Sequence, residues 1–216
     1  MQKLALPLAL ATAILSTGCS NLERSRNLAD PNVSGQTLAQ QVCSICHGID
    51  GNSINPQFPK LAGQQKQYII NQLHNFRGHD RADPPGPEFM WGLTRSLTDA
   101  QIEGIADYFS KQTSAPNQAV TVARFDAGKK LFDDGLPDKG TPPCQACHGQ
   151  QAQGLRNFPR LANQHAYYLM RQLHIFQETN FRPGTPMKQV THALTPEQMY
   201  DVAGYLQALN AEGNVK

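Results

Sequence analysis

The chain has 216 residues, of which 39% are hydrophobic, 7% aromatic and 17% charged, and its formal net charge is +2. This length suits one or two globular domains. The sequence contains neither a run of basic residues nor basic residues interleaved with aromatic ones, so we expect no nucleic-acid partner.

The N-terminal segment has the features of an export signal. Lys3 gives a charged start, and an apolar run extends from Leu4 to Leu15. This run is too short to span a bilayer as a mature helix, which favours a signal peptide over residues 1–18. The next residue, Cys19, resembles the acylated cysteine of bacterial lipoproteins and predicts a lipid anchor. The alternative is ordinary cleavage nearby, which would leave an incidental cysteine.

Two Cys-x-x-Cys-His-Gly motifs are the strongest chemical signal. They contain Cys43, Cys46 and His47 in the first copy, and Cys144, Cys147 and His148 in the second. The pattern is typical of haem c attachment, because two thiols about one helical turn apart can each bond one vinyl group of a porphyrin. The following histidine is then placed to ligate the iron. The motifs therefore predict two covalently bound haem c groups, attached outside the cytoplasm.

Two other interpretations use paired cysteines. Four thiolates can bind zinc, and a Cys-x-x-Cys pair can act as a redox dithiol. Neither interpretation explains why histidine and glycine follow both pairs.

The motifs belong to an internal duplication. Residues 58–64 and 158–164 share the pattern Phe-Pro-x-Leu-Ala-x-Gln at an offset of 100 (158 − 58). The duplication predicts the following organisation: a tether over residues 19–31, a first module over 32–111, a linker over 112–119 and a second module over 120–211.

Both modules are predicted to be all-α, because no segment shows strand alternation. The last helix of each module has a capping box, formed by Thr98 with Gln101 and by Thr195 with Gln198, ahead of an apolar stripe. Middle helices are predicted over residues 64–76 and 164–176. Short helices before the cysteine pairs contain Gly35 and Gly128, where a glycine would let the last helix cross closely through Tyr108 or Tyr205.

The repeat selects two methionines as candidates for the second axial ligand. Met90 and Met187 correspond at an offset of 97 (187 − 90), and each lies in a Pro-rich loop. Prolines stiffen such a loop and help to hold a weak thioether ligand on iron. His74 and His174 are also duplicated and are the alternative ligands. An open sixth position would instead let a substrate such as peroxide bind.

The other methionines and histidines have simpler interpretations. Met170 and Met199 fall within predicted helices, where the first module has isoleucine, and we expect them in the core. His79, His165 and His192 have no histidine counterpart and are expected on the surface.

Groups around the ligands can also be proposed. A metal-bound histidine usually donates its other N–H to a carbonyl, and the carbonyls of Pro59 and Pro159 are the candidates for His47 and His148. Three arginines are candidates for neutralising haem propionates, with solvated side chains as the alternative: Arg77, Arg81 and Arg182.

Together these residues resemble the cytochrome c4 family over nearly all of the mature chain. The resemblance is carried by both haem motifs, both Phe-Pro-x-Leu-Ala segments, both Gln-Leu-His-x-Phe segments and both loop methionines. It implies two tandem class I cytochrome c domains related by a pseudo-twofold, with His/Met ligation at both irons and propionates facing across the interface. The second module departs from the family because it lacks Asp-Gly-Asn after its haem motif, and a lipid anchor is not typical of the family.

The resemblance implies electron transfer in respiration and no enzymatic activity of the chain itself. We expect a periplasmic carrier, tethered to a membrane through Cys19, with a terminal oxidase, another cytochrome or a dehydrogenase as redox partner. One alternative is the cytochrome subunit of a redox enzyme complex, such as a sulfide dehydrogenase. Another is an enzyme, either a dihaem peroxidase or a thiosulfate dehydrogenase. A cysteine-ligated thiosulfate enzyme would need a further cysteine in the mature domains, and the sequence has none there.

Overall fold

The computed structural model describes residues 25–117 and 124–210 of the chain. The predicted signal peptide, Cys19 and parts of the predicted tether and linker lie outside these residues. Across the described ranges, no helix combines the length and the apolar character needed to cross a membrane.

The first module contains helices and loops. In chain order its helical elements are α1 (Gly35–Leu38), a π-helical turn (Ala39–Cys43), α2 (Ser44–His47), α3 (Lys66–Arg77), a second π-helical turn (Gly86–Met90), α4 (Trp91–Thr94) and α5 (Asp99–Ser110). The first three elements follow one another without a break. The helix that begins at α1 therefore continues into the first cysteine pair.

The second module repeats this plan. Its helical elements are α6 (Phe125–Asp134), a 3-10 turn (Pro137–Lys139), α7 (Gln145–His148), α8 (Ala166–Glu178), α9 (Met187–Thr191) and α10 (Pro196–Ala208). No β-strand occurs among the described residues, which include only two isolated bridges. The predicted all-α fold is confirmed.

The last helix of each module begins where the sequence predicts. The Gln101 N–H donates to Thr98 Oγ1 at 3.2 Å, and the Thr98 N–H donates to Gln101 Oε1 at 2.9 Å. The same reciprocal pair joins Thr195 and Gln198, with Pro196 as the first helical residue. These bonds satisfy backbone donors that have no partner within the helix.

The middle helices begin two residues later than predicted, because Gln64 and Gln164 are not helical. The side-chain oxygen of each accepts the next backbone N–H, from Gln65 at 2.9 Å and from His165 at 3.0 Å. Both glutamines thus precede their helices and extend toward the other module.

Each module has its own apolar core. The buried stripe of α5 packs against α1 and α3 through Leu38, Ile69, Leu73, Ile102, Ile105, Ala106 and Phe109. The stripe of α10 packs against α6 and α8 through Leu131, Phe132, Leu169, Met199, Val202, Ala203 and Leu206. Met199 is fully buried and Met170 contacts the same core, as predicted.

Two glycines allow the first and last helices of each module to cross in contact. A Cβ on Gly35 would overlap backbone atoms of Gln101 and Ile105 in α5. A Cβ on Gly128 would overlap the backbone of Asp201 in α10. The predicted close crossing is confirmed at both glycines, with Tyr205 at Gly128 as expected, but Gly35 meets Gln101, Gly104 and Ile105 and not Tyr108.

The modules meet through matched hydrogen bonds. Gln164 accepts the Lys60 N–H at 2.9 Å and donates to the Lys60 carbonyl at 3.0 Å. Gln64 accepts the Arg160 N–H at 2.8 Å and donates to the Arg160 carbonyl at 3.0 Å. Equivalent residues exchange equivalent bonds, as a twofold relation requires. The predicted pseudo-twofold between the modules is confirmed.

The prediction that His165 lies on the surface is wrong. Its ring is buried between the modules, with Nε2 2.8 Å from the carbonyl oxygen of Ser53. Burial lowers its pKa, so the ring is neutral at neutral pH. Its counterpart Gln65 donates to the Gln153 carbonyl at 3.1 Å. His165 and Gln65 therefore make equivalent contacts between the modules. The sequence analysis expected a surface position because residue 65 is not a histidine, and that difference says nothing about burial.

Gly128→Ala should destabilise the protein, because the methyl group would force α6 away from α10. We expect the free energy of unfolding to fall by about 1–3 kcal/mol, as for other overpacked cores. Gly92→Ala is the matched control, since Gly92 lies in α4 with no atom within 4 Å of an added Cβ. Denaturant unfolding of both holoproteins measures the difference, and equal stability of the two variants would contradict the close crossing.

Candidate functional site

The first Cys-x-x-Cys-His motif lies at the end of the helix that begins at α1, whereas the second forms the short helix α7, with Cys144 as its N-cap. Cys43 is the last residue of the first π-helical turn, and Cys46 and His47 lie in α2. The chain then turns away at Gly48, which has a φ of 82°. Gly149 follows the second motif with a φ of 83°. Side chains disfavour such positive φ values, which explains why glycine follows both motifs.

The two motif histidines are held in the same way. His47 Nδ1 lies 2.9 Å from the Pro59 carbonyl oxygen, and His148 Nδ1 lies 3.0 Å from that of Pro159. A carbonyl can only accept, so Nδ1 carries the proton and Nε2 is left unprotonated. Burial lowers the pKa of both rings and keeps them neutral. A neutral imidazole with an available nitrogen is the form that binds a metal.

A cavity of about 480 Å³ lies beside the haem motif of the second module. The predicted site residues of this module all line it: Cys144, Cys147, His148 and Met187. Its apolar wall includes Leu131, Phe132, Leu169, Leu194, Val202 and Leu206. Two thiols, an imidazole and a thioether within an apolar wall match the chemistry of a covalently attached haem.

In the first module, Cys43 and Met90 both pack against the apolar core. Burial raises the pKa of the Cys43 thiol to about 12, and it raises that of Cys144 to about 11. One thiol of each pair is thus enclosed, and it stays protonated at neutral pH in the unmodified chain.

The two candidate methionines lie on helical turns and not in extended loops. Met90 closes the second π-helical turn, which follows Pro85, and Met187 opens α9, which follows Pro186. The fixed φ of proline suits the start of a helical turn. The sequence predicted loops here, because the closely spaced prolines gave no sign of the helical turns that follow them.

A threonine supports each methionine, and the sequence analysis missed both. Thr94 Oγ1 donates to the Met90 carbonyl at 2.7 Å, and Thr191 Oγ1 donates to the Met187 carbonyl at 2.8 Å. Both threonines are buried. They correspond at the same offset of 97 as the methionines (191 − 94), so the repeat of Met-x-x-x-Thr was an available signal.

The alternative ligands have other partners. His74 Nδ1 lies 2.8 Å from Arg77 Nη2, and His174 Nδ1 lies 3.5 Å from Glu178 Oε1. The lining of the second-module cavity includes Met187 and not His174. The arrangement therefore favours methionine over the second histidine in that module.

Of the three candidate arginines, Arg77 is placed elsewhere: it forms an ion pair with Asp99 at 2.7 Å and donates to the Leu97 carbonyl. Arg81 and Arg182 lie at the inter-module interface and both line the second-module cavity. These two remain candidates for contact with propionates, whereas the prediction for Arg77 is not supported.

The interface also buries an ion pair that the sequence analysis missed. The Arg81 guanidinium contacts Asp83, with Nε 2.7 Å from Oδ1, and Gln172 donates to the other carboxylate oxygen at 3.1 Å. Burial alone would raise the pKa of Asp83, but the hydrogen bond and the charge of Arg81 hold it below its usual range. Asp83 is fully buried, and short-range periodicity gives no signal for such a group.

Two helical modules, each with a pair of thiols, a neutral imidazole and a thioether, define a c-type cytochrome with two haems. The cytochrome c family model matches the chain twice, over residues 33–113 and 125–210. The chain therefore belongs to the cytochrome c family, in its dihaem cytochrome c4 branch, and carries two covalently bound haem c groups. The paired cysteines are therefore haem attachment sites, and the alternatives of a zinc site and a redox dithiol are rejected.

Relatives of known name support this assignment. A cytochrome c4 of Stutzerimonas stutzeri is 38% identical over 213 residues, covering 93% of this chain and 98% of that protein. The solved structure of cytochrome c4 from Acidithiobacillus ferrooxidans has a TM-score of 0.73 at 39% identity, covering 77% of this chain and 98% of that one. A Thiomonas intermedia (strain K12) protein named a thiosulfate dehydrogenase electron acceptor is 34% identical over 174 residues, covering 77% of each chain. The chain is thus an electron-transfer cytochrome.

Proposed function

We propose that the protein is a periplasmic electron carrier of respiration that works beside a membrane. The observation that supports the electron-carrier part of this proposal is the second-module cavity, which is lined by Cys144, Cys147, His148 and Met187. The duplicated motif and the matching core contacts of Cys43 and Met90 support the same arrangement in the first module.

Each residue of the motif has a separate role in this proposal. Cys43 and Cys46 attach one haem, and Cys144 and Cys147 attach the other. His47 and His148 would ligate the iron through Nε2, and the carbonyls of Pro59 and Pro159 fix their tautomer. Met90 and Met187 would each supply a thioether ligand to the iron of their module.

The bound haem supplies an iron that gains or loses one electron. The protein excludes water with its apolar wall, holds both imidazoles neutral and would supply a thioether to the iron. A thioether bound to the iron would compete with peroxide for it, which favours a carrier over a peroxidase. Buried, hydrogen-bonded ligand rings also have few alternative positions, which favours electron exchange without rearrangement of the site.

Met90→His and Met187→His should each lower the reduction potential of one haem selectively, because imidazole stabilises the ferric state more than a thioether does. Each variant should also lose half of the near-infrared methionine–iron charge-transfer band. Redox titration with optical spectra measures both effects. Met199→Leu is the matched control, because Met199 is a buried core residue and should leave potentials and band unchanged.

A ferric wild-type protein without this band at either haem would contradict methionine ligation. Unchanged potentials in both histidine variants would do the same.

The membrane location rests on Cys19, which we propose is acylated and becomes the N-terminus of the mature protein when residues 1–18 are removed. Cys19→Ser should release the protein from the membrane fraction into the soluble periplasmic fraction, because a lipid anchor supplies most of such membrane affinity. Cell fractionation followed by haem staining measures the distribution, with Ser20→Ala as the control. An unchanged distribution of a Cys19→Ser protein whose mass shows that the signal peptide has been removed would exclude the anchor.

A second candidate function is the redox subunit of a dehydrogenase, which the similarity to the Thiomonas protein favours. In that case the chain takes electrons directly from a sulfur-oxidising enzyme. A dedicated subunit should co-purify with a larger protein in stoichiometric amount after mild extraction, since obligate interfaces persist on dilution. Purification of the cytochrome alone, with full reduction by several donors, would favour the free carrier.

A further inference from the structure

One peptide group in the first module is hydrogen-bonded on both sides. Its carbonyl, from Pro59, accepts the Nδ1–H of His47 at 2.9 Å. Its N–H, from Lys60, donates to Gln164 Oε1 in the other module, also at 2.9 Å. A single amide plane therefore separates the ring of a motif histidine from a side chain of the opposite module.

The second module repeats this link in the reverse direction. The Pro159 carbonyl accepts the Nδ1–H of His148 at 3.0 Å. The N–H of the same peptide, from Arg160, donates to Gln64 Oε1 at 2.8 Å. Each motif histidine is thus connected to the module that does not contain it.

The two glutamines are fixed in orientation. Each donates its Nε2–H to the carbonyl of the residue whose N–H it accepts, at 3.0 Å in both cases. Gln64, Gln164, Lys60 and Arg160 are each no more than 5% exposed. Bulk water therefore cannot replace either hydrogen bond if the glutamine is removed.

Hydrogen bonds in a chain polarise one another. An acceptor on the peptide N–H makes the carbonyl oxygen of the same peptide more negative. That oxygen then binds the Nδ1–H of the histidine more strongly and raises the basicity of the ring as a ligand. A more basic ligand stabilises ferric iron and lowers the reduction potential.

We propose that Gln164 is a positioning residue for His47, and Gln64 for His148, so that each module lowers the reduction potential of the haem in the other. The inference rests on the proposed ligand roles of the two histidines. It does not depend on the identity of the sixth ligand or of the redox partner.

The test is a redox titration of the full-length holoprotein carrying Gln164→Leu or Gln64→Leu. Gln164→Leu should raise the potential of the first-module haem and leave that of the second unchanged. Gln64→Leu should do the reverse. Following the His47 and His148 Nδ1 proton resonances during each titration assigns the two redox waves to their modules.

A second readout is independent of the potential. In the reduced protein, the NMR resonance of the His47 Nδ1 proton should move upfield in Gln164→Leu, because its hydrogen bond is weaker. The corresponding proton of His148 should keep its position.

Gln65→Leu is the matched control. Gln65 also donates across the interface, to the Gln153 carbonyl at 3.1 Å, but it does not touch either histidine-binding peptide. It should weaken the inter-module contact without a selective change in either potential.

Three results would overturn the inference: no shift in either glutamine variant, an equal shift of both haems, or the same selective shift in Gln65→Leu. If Gln164→Leu yields no holoprotein, Gln64→Leu decides by the same criterion. Absence of the methionine–iron band from the wild type would reject the proposed sixth ligands only. Intact bands without a selective shift would reject this inference only.

Discussion

The hydrogen bond between each motif histidine and a proline carbonyl is the interaction that connects the fold to the site. It fixes the tautomer of the ring, and the loop that provides the carbonyl is also the loop that contacts the opposite module. The opposite side of the same peptide is occupied by Gln164 or Gln64. The geometry of one site is therefore complete only when both modules are folded and packed together.

The interface around this contact is polar. Arg81 and Arg182 stack on Phe76 and Phe176, with the guanidinium carbon 4.5 Å from the ring centroid in both cases. Both guanidinium groups also donate to Gln72, at 2.8 and 2.7 Å. Buried polar groups contribute little net stability, but an unpaired one is costly. Such a network therefore favours one relative orientation of the modules over a sliding apolar contact.

The local features of this chain were predictable because short-range chemistry determines them. The geometry of one helical turn determines three of them: the cysteine spacing, the glycines after the motifs and the capping boxes at Thr98 and Thr195. The need of a ligand histidine for an acceptor on Nδ1 determines the fourth, the role of the Pro59 and Pro159 carbonyls. The repeat itself then separated Met90 and Met187 from the core methionines, and their ligand role stays a prediction.

The features that escaped prediction depend on the second module. His165 looked like a surface residue, and Gln64 and Gln164 looked like the first residues of helices, because each has its partner about a hundred residues away. Asp83 likewise has a partner from the other module, Gln172. A pattern of period 3.6 describes which face of a helix is apolar and carries no information about such distant partners.

The crosswise glutamine contacts also constrain how the two halves of a duplicated chain can diverge. From residue 58 to 65 and from 158 to 165, the halves differ at three positions, where Lys60, Gly63 and Gln65 correspond to Arg160, Asn163 and His165. Lys60 and Arg160 offer only backbone groups to the opposite glutamine. This contact is therefore the same in both halves, although the two side chains differ and make their own hydrogen bonds, Lys60 to the Ala115 carbonyl and Arg160 to the Ala62 carbonyl. The glutamine is the same in both halves. Each half is part of the environment of the site in the other half. A substitution of this glutamine in one half would therefore alter the histidine-binding peptide of the other.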